Sequence, residues 1–234
     1  MNGGGEGLTM KILSAGSTLY GARAAVGSLL PRARIEIATD HGHLIHEAAL
    51  HGKSDGDILI IPEDMIEDLE KRGLLADGSR RRFGFTGIGY AVKSGQPVPA
   101  MTDGEALARA VNGAGQLYLT SAPTGVHMRA WLAGVGLSAA LNGKLRTFER
   151  ATEMLAALAG GDGNTLAFGP TTELMAWRAK GTDYGGSVPP QFDLPLMYAG
   201  GVLKRSAEIP GAIRVLDEIS GPGGIQHFRQ SGVL

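Results

Sequence analysis

The sequence contains no cysteine. That excludes disulfides, thiolate nucleophiles and cysteine-ligated metals, and leaves the redox compartment open. An excess of charge is lacking too. The 22 Lys and Arg stand against 23 Asp and Glu, a net charge of −1, so nothing global favours nucleic acid or a membrane surface and any positive field must be local. No apolar run reaches the roughly 20 residues that a membrane-spanning helix needs. The start, Met1-Asn-Gly-Gly-Gly-Glu-Gly-Leu-Thr9, has neither the basic head nor the apolar centre of a secretion signal. Taken as a native start it makes the cytoplasm the expected location; taken as a processed end it leaves the periplasm open. Gly87-Ile-Gly89 lacks the third glycine and the following helix of a dinucleotide fingerprint, and no phosphate loop or Ser-His-acid spacing occurs. No cofactor and no metal are expected, and neither nucleic acid nor membrane insertion.

What is present is a chain of 234 residues, 43% hydrophobic, long enough to bury a large core. Its 37 glycines sit at the ends of periodic segments, where they act as caps and turns. From residue 10 strand and helix alternate. The strand Lys11–Ala15 leads to a helix Leu19–Leu30, and Ile35–Thr39 to a helix His43–His51. Asp57-Ile-Leu-Ile-Ile61 is an apolar run of the kind buried on both faces of a parallel sheet, followed by a helix Met65–Arg72 that stops at Gly73. This order predicts right-handed crossovers, a doubly wound sheet, and ligands at the carboxyl ends of its strands.

Phe83–Lys93 reads as one long strand passing to a second lobe. That lobe would hold a helix Gly104–Asn112, a strand Gln116–Thr120, a helix from Val126, a helix Thr147–Ala159, a strand Thr165–Phe168, a helix Thr172–Arg178 and a loop Tyr184–Pro190. Leu194–Leu203 reads as the return, before helices Pro210–Ile219 and Gly224–Gln230. The expectation is therefore an α/β chain of two doubly wound lobes joined by two crossing strands. Residues 1–80 and 200–234 form lobe 1 and residues 81–199 lobe 2, with a ligand cleft between them.

Three strand-turn-helix corners built from Ser, Thr, His and Gly organise the chain. Helix starts leave N–H groups unpaired and carry the positive end of the macrodipole, so they suit anions. Gly16, Ser17 and Thr18 form the first corner, and His41 and Gly42 the second. Thr124, Gly125 and Val126 form the third. Each hydroxyl either meets a ligand or caps its own helix, and each glycine either admits an anion to the backbone or permits a turn. Thr171 and Glu173 occupy the matching corner after the strand Thr165–Phe168, and Tyr198 lies on the return strand. His41, His43, His46 and His51 cluster within eleven residues, but no second ligand cluster accompanies them. His127 stands near a helix start, where the dipole favours a neutral imidazole, as base, hydrogen-bond partner or structural residue. Arg80-Arg81-Arg82 is either a guanidinium fork for a carboxylate or a solvated basic loop.

Four stretches give a resemblance that covers nearly all the chain after residue 10. They are Leu13-Ser-Ala-Gly-Ser-Thr18, Ser54-Asp-Gly-Asp-Ile-Leu-Ile-Ile61, Thr124-Gly-Val-His-Met128 and Leu196-Met-Tyr-Ala-Gly-Gly-Val202. Their order resembles the type 2 periplasmic binding protein fold, specifically the molybdate-binding-protein superfamily and its aconitate-isomerase-like branch. The sequence departs from molybdate binders at Asp40-His-Gly-His43, where they carry a Ser-rich loop, and from the branch at His127, where a Tyr is usual. The resemblance implies one of two functions. One is an isomerase of a small di- or tricarboxylate: helix starts hold the carboxylates while His41 or His127, with Glu173, moves a proton. The other is a non-catalytic solute-binding protein for a molybdate-like oxyanion or carboxylate, delivering to an ABC transporter permease. The isomerase is the main expectation.

Overall fold

In the computed structural model, residues 9–137, 141 and 143–234 are described; the glycine-rich start, residues 1–8, lies outside them. The chain divides into two compact units, Met1–Phe85 with Leu196–Leu234, and Thr86–Pro195. Each is built on a mixed five-stranded sheet covered by helices.

Unit 1 runs β1 (Met10–Ala15), α1 (Gly16–Leu29), β2 (Ile35–Asp40), α2 (Gly42–Leu50), β3 (Ile58–Pro62), α3 (Glu63–Lys71) and β4 (Arg81–Thr86, whose last residue already counts with unit 2). After the return it adds β10 (Leu196–Val202), and two helices, Ile209–Ser220 and Pro222–Gln230, which become α8 and α9 below. The strand order is β2-β1-β3-β10-β4; β1 is parallel to β2 and β3, and β10 is antiparallel to β3. Period-two alternation explains the continuous apolar run of β3. Ile58 and Ile60 pack with Ile12, Phe83, Leu216 and Phe228 on one face, and Leu59 and Ile61 with Ile45, Ile66 and Leu69 on the other. Ile58, Leu59, Ile60 and Ile61 are fully buried, each stabilising the unit by about 1.5–3 kcal/mol.

Unit 2 contains β5 (Ile88–Lys93), α4 (Gly104–Gly113), β6 (Gln116–Thr120), α5 (Pro123–Gly134), β7 (Leu145–Phe148), α6 (Ala151–Gly160), β8 (Thr165–Pro170), α7 (Thr171–Ala176), β9 (Thr182–Ser187) and a 3-10 turn, Pro190–Phe192. The order is β7-β6-β8-β5-β9, with β6 parallel to β7 and β8 and with β5 antiparallel to β8 and β9. Leu117, Leu119, Leu166 and Phe168 fill one face and Tyr118, Ala167 and Leu174 the other.

Three expectations are corrected. The helix expected over Thr147–Ala159 begins only at Ala151, because Leu145–Phe148 pairs with Leu117–Thr120 as an edge strand. The loop expected over Tyr184–Pro190 is largely strand β9; its Gly-Gly pair, poor for an isolated strand, is held by pairing with β5 at a bulge. The single crossing strand expected over Phe83–Lys93 is two strands in two sheets, β4 and β5, broken at Gly87. No described helix is long and apolar enough to cross a membrane.

Candidate functional site

Parallel pairing aligns the ends of neighbouring strands, and so gathers their following turns. In unit 1 Ala15 is in register with Asp40 and Ser14 with Ile60, while Tyr198 of β10 faces Pro62 of β3. The corners after β1, β2 and β3 therefore share one edge, with Tyr198 beside them. Gly42 confirms the closeness: a Cβ there would lie 2.7 Å from Pro62 Cδ and 3.9 Å from Ala15 Cβ. In unit 2 Thr120 is in register with Phe148 and Ile88 with Pro170, so the ends of β6, β7 and β8 and the start of β5 share an edge in the same way.

The helices at these edges are capped poorly. Ala15, His41, Pro62, Ala122 and Pro170 occupy the N-cap positions of α1, α2, α3, α5 and α7, and none supplies a side-chain cap. Ordinary helix grammar would put Ser, Thr, Asp or Asn there. By contrast Asp103 caps α4 through the Ala106 amide, and Glu208 caps α8 through the Gly211 amide. At the edges, then, first-turn N–H groups lack a side-chain cap, and in α7 that of Thr171 goes to the Gly87 carbonyl.

Unit 2 adds buried hydroxyls with no partner. Thr120 Oγ1, Thr124 Oγ1, Thr172 Oγ1 and Thr86 Oγ1 are buried and make no hydrogen bond. Three of them belong to the corners after β6 and β8, and Thr86 ends β4, directly before Gly87 and the start of β5 at Ile88. A buried hydroxyl without a partner costs about 1–3 kcal/mol, so four in one unit form an unusual concentration.

The residues expected at the site fall into two groups. Ser17, 6% exposed, makes no side-chain hydrogen bond among the described residues, and Gly16 sits beside it at the uncapped start of α1. His41 occupies the N-cap of α2, its ring stacked on that of His43 at 5.6 Å between centroids. Thr124 and Gly125 stand in the uncapped first turn of α5, and Val126 is exposed there, its own N–H already bonded to the Ala122 carbonyl.

Other candidates are tied up inside the fold. Thr18 Oγ1 lies 3.2 Å from the Ala15 carbonyl and 2.9 Å from Ser14 Oγ, so its proton is used internally. Thr171 donates both N–H (3.0 Å) and hydroxyl (2.9 Å) to the Gly87 carbonyl, leaving neither for a ligand. The His127 ring is placed 3.3 Å from the Phe192 carbonyl, an anchoring role. His46 bonds Asp68 at 3.0 Å. Of the basic triplet, Arg80 meets Glu67 at 2.6 Å, Arg81 meets Asp217 at 2.7 Å and Arg82 meets Glu63 at 2.5 Å, so all three are engaged by the unit's own acids.

Glu173 differs from every other carboxyl described. Although the residue keeps some exposed surface, burial alone pushes its carboxyl up to about 7, with no charged neighbour contributing. Among the described residues no three His, Asp or Glu side chains gather as a metal-binding group.

Sequence reasoning missed Thr120 and Thr172. The Thr closing the apolar strand Leu117-Tyr-Leu-Thr120 was a visible signal, but whether a hydroxyl finds a partner is decided by tertiary packing. It also missed Pro62 and Glu63 as a further corner, since the helix was expected to begin only at Met65.

Three solved structures show the same fold. The periplasmic molybdate-binding protein of Azotobacter vinelandii superposes with a TM-score of 0.75 at 19% identity, covering 96% of this chain and 98% of that one. The tungstate ABC transporter protein of Geobacter sulfurreducens gives 0.67 at 13% identity, with 94% and 97% covered. The sulfate-binding protein of Mycobacterium tuberculosis gives 0.66 at 15%, with 96% and 85% covered. At these identities the likeness establishes the fold alone: two α/β lobes of the type 2 periplasmic binding protein kind. Comparison with curated proteins gives no match. Residues 29–234 match the model of a family described as bacterial extracellular solute-binding protein, and the chain belongs to that family.

Proposed function

We propose that the protein is the solute-binding component of an ABC-type importer and takes a small oxyanion of the molybdate, tungstate or sulfate kind. The observation that carries this reading is the corner after β6. There the uncapped first turn of α5 adjoins two buried hydroxyls, Thr120 and Thr124, that lack partners. Free N–H groups at a helix start with hydroxyl donors beside them are what an anion's oxygens require. Family membership and the ligands named for the structural neighbours support it. In this reading the protein works outside the cytoplasm and its partner is a membrane permease, against the cytoplasmic expectation.

The main expectation, an isomerase, loses ground by comparison. His127 is anchored to a backbone carbonyl, and the family is one of solute binders. Glu173 is the feature that favours proton transfer on a carboxylate, since a carboxyl held near 7 can give and take a proton at neutral pH. One experiment separates the two readings. Melting shifts and calorimetry with molybdate, tungstate, sulfate and trans-aconitate should give a shift and saturable binding for an oxyanion, since a ligand bound only by the native state raises its stability. NMR of trans-aconitate in heavy water should then show neither exchange nor an isomer. Proton exchange with no oxyanion binding would reverse the assignment.

A further inference from the structure

We propose that Asp193 is a positioning residue for the binding edge of unit 2, acting on Thr171 and Thr172 through a single peptide plane, that between Gly87 and Ile88. The solute-binding part of this inference rests on the oxyanion reading above; the mechanical part does not.

Asp193 follows the 3-10 turn Pro190–Phe192, two residues before the chain leaves unit 2. Its Oδ1 accepts from the Ile88 amide at 2.5 Å and from the Leu194 amide at 2.8 Å. One carboxylate thus ties the segment entering the unit to the segment leaving it. A carboxylate taking N–H bonds makes stronger links than a neutral acceptor does.

The Ile88 N–H and the Gly87 C=O belong to one peptide group. Because the peptide is planar and trans, as every described peptide bond is, the two point in opposite directions from one rigid plate. On one side the plate is held by Asp193. On the other its carbonyl receives both the Thr171 N–H and the Thr171 hydroxyl. Any rotation that loosens the first grip moves the oxygen that makes the second.

Residue 87 has to be glycine for this to fit, since a Cβ there would lie 2.8 Å from Asp193 Oδ1 and 2.9 Å from its Cγ. Thr171 is therefore located by the plate, and the next residue carries the fully buried, unpartnered hydroxyl of Thr172. The hydroxyl of Thr86, on the other flank of Gly87, is unpartnered as well. The chain spends Thr171 on aiming and leaves the neighbouring hydroxyls for a guest.

The test uses the full chain with Asp193→Ala, Asp193→Asn as the milder variant should the first fold poorly, and Thr171→Val with Thr171→Ser as its conservative control. Amide hydrogen exchange is followed by NMR without ligand, and affinities for molybdate and sulfate by calorimetry well below the melting temperature. Losing the charge-assisted bonds should speed exchange about tenfold or more at Ile88 and, through the plate, at Thr171, while Leu166 and Ala167 within β8 keep their protection. Anion affinity should fall about tenfold in both Asp193→Ala and Thr171→Val, with little further loss in the double variant, and Thr171→Ser should stay close to the parent. Faster exchange confined to Ile88 and Leu194, with Thr171 untouched, overturns the proposal. So do affinity losses that multiply in the double variant. Should the parent bind neither anion, the oxyanion reading fails while the exchange at Thr171 still decides the role of Asp193.

Discussion

Gly125 is seated directly against the backbone of Thr120. A Cβ on it would come within 2.7 Å of the Thr120 nitrogen and 2.8 Å of its carbonyl carbon, and neither atom can move without breaking β6. The close approach presses the start of α5 onto the end of the strand, which places its free amides beside the Thr120 and Thr124 hydroxyls. Gly125→Ala should therefore cost about 1–3 kcal/mol in urea unfolding, as overpacking does. It should also weaken molybdate binding beyond what the stability loss explains. A variant as stable as the parent would show that the corner is loose and that its geometry is not built.

Thr124→Val gives a sharper separation of folding from function. The hydroxyl is buried without a partner, so replacing it by a methyl of the same shape should leave the ligand-free protein as stable as before or more so, by up to about 1 kcal/mol. The same change removes a donor from the proposed anion site and should cost about tenfold in affinity. Stability and binding moving in opposite directions marks a group kept for a ligand. A fall in stability with unchanged affinity would identify an ordinary core threonine.

Ser17 and Thr18 are adjacent in sequence and opposite in expected behaviour. Ser17→Ala removes a hydroxyl that serves no partner among the described residues, so melting should hold while anion affinity drops. Thr18→Val breaks a buried cluster with Ser14 and the Ala15 carbonyl, and should lose about 1–2 kcal/mol with affinity little changed. Calorimetry and thermal melts on the pair suffice. The reverse pattern would move the ligand contact from residue 17 to residue 18.

Much of the architecture was legible because strong periodic segments carry it. Ile58–Ile61 could be placed in the middle of a sheet from its apolar continuity alone, and the Ser-Thr corner after β1 from its position between strand and helix. Short edge strands escaped. Leu145–Phe148 has four residues and no independent stability, and Thr182–Ser187 carries two glycines; both exist only through a partner strand distant in sequence. Within the corners the sequence offers hydroxyls of equal appearance. Thr18 and Thr171 are consumed by the fold while Thr124 and Thr172 are not, and that distinction lies in which carbonyl comes within hydrogen-bonding distance. Asp193 was invisible for the same reason, since its partner Ile88 is 105 positions away.

Glu173 supplies a prediction in pH. Its carboxyl is raised from 4.5 to about 7 in the fold, so below about 4.5 both folded and unfolded chains carry the proton and the group exerts no penalty. As pH rises from there, the unfolded chain releases the proton first, and stability falls until the folded carboxyl also ionises near 7. At 1.36 kcal/mol per unit the loss is at most ~3 kcal/mol, and smaller to the extent that the residue's exposed surface admits water. Glu173→Gln cannot ionise, so it should gain on the parent between pH 5 and pH 8. The difference between the two proteins cancels the histidines that titrate in the same window. Carboxylates held below their usual range, such as Asp55 and Asp103, act in the opposite sense and only at lower pH. Urea unfolding of both proteins at pH 5, 6.5 and 8 measures the effect directly. Parallel curves would mean that the carboxyl is solvated at neutral pH, which would also remove the feature favouring proton transfer at this corner.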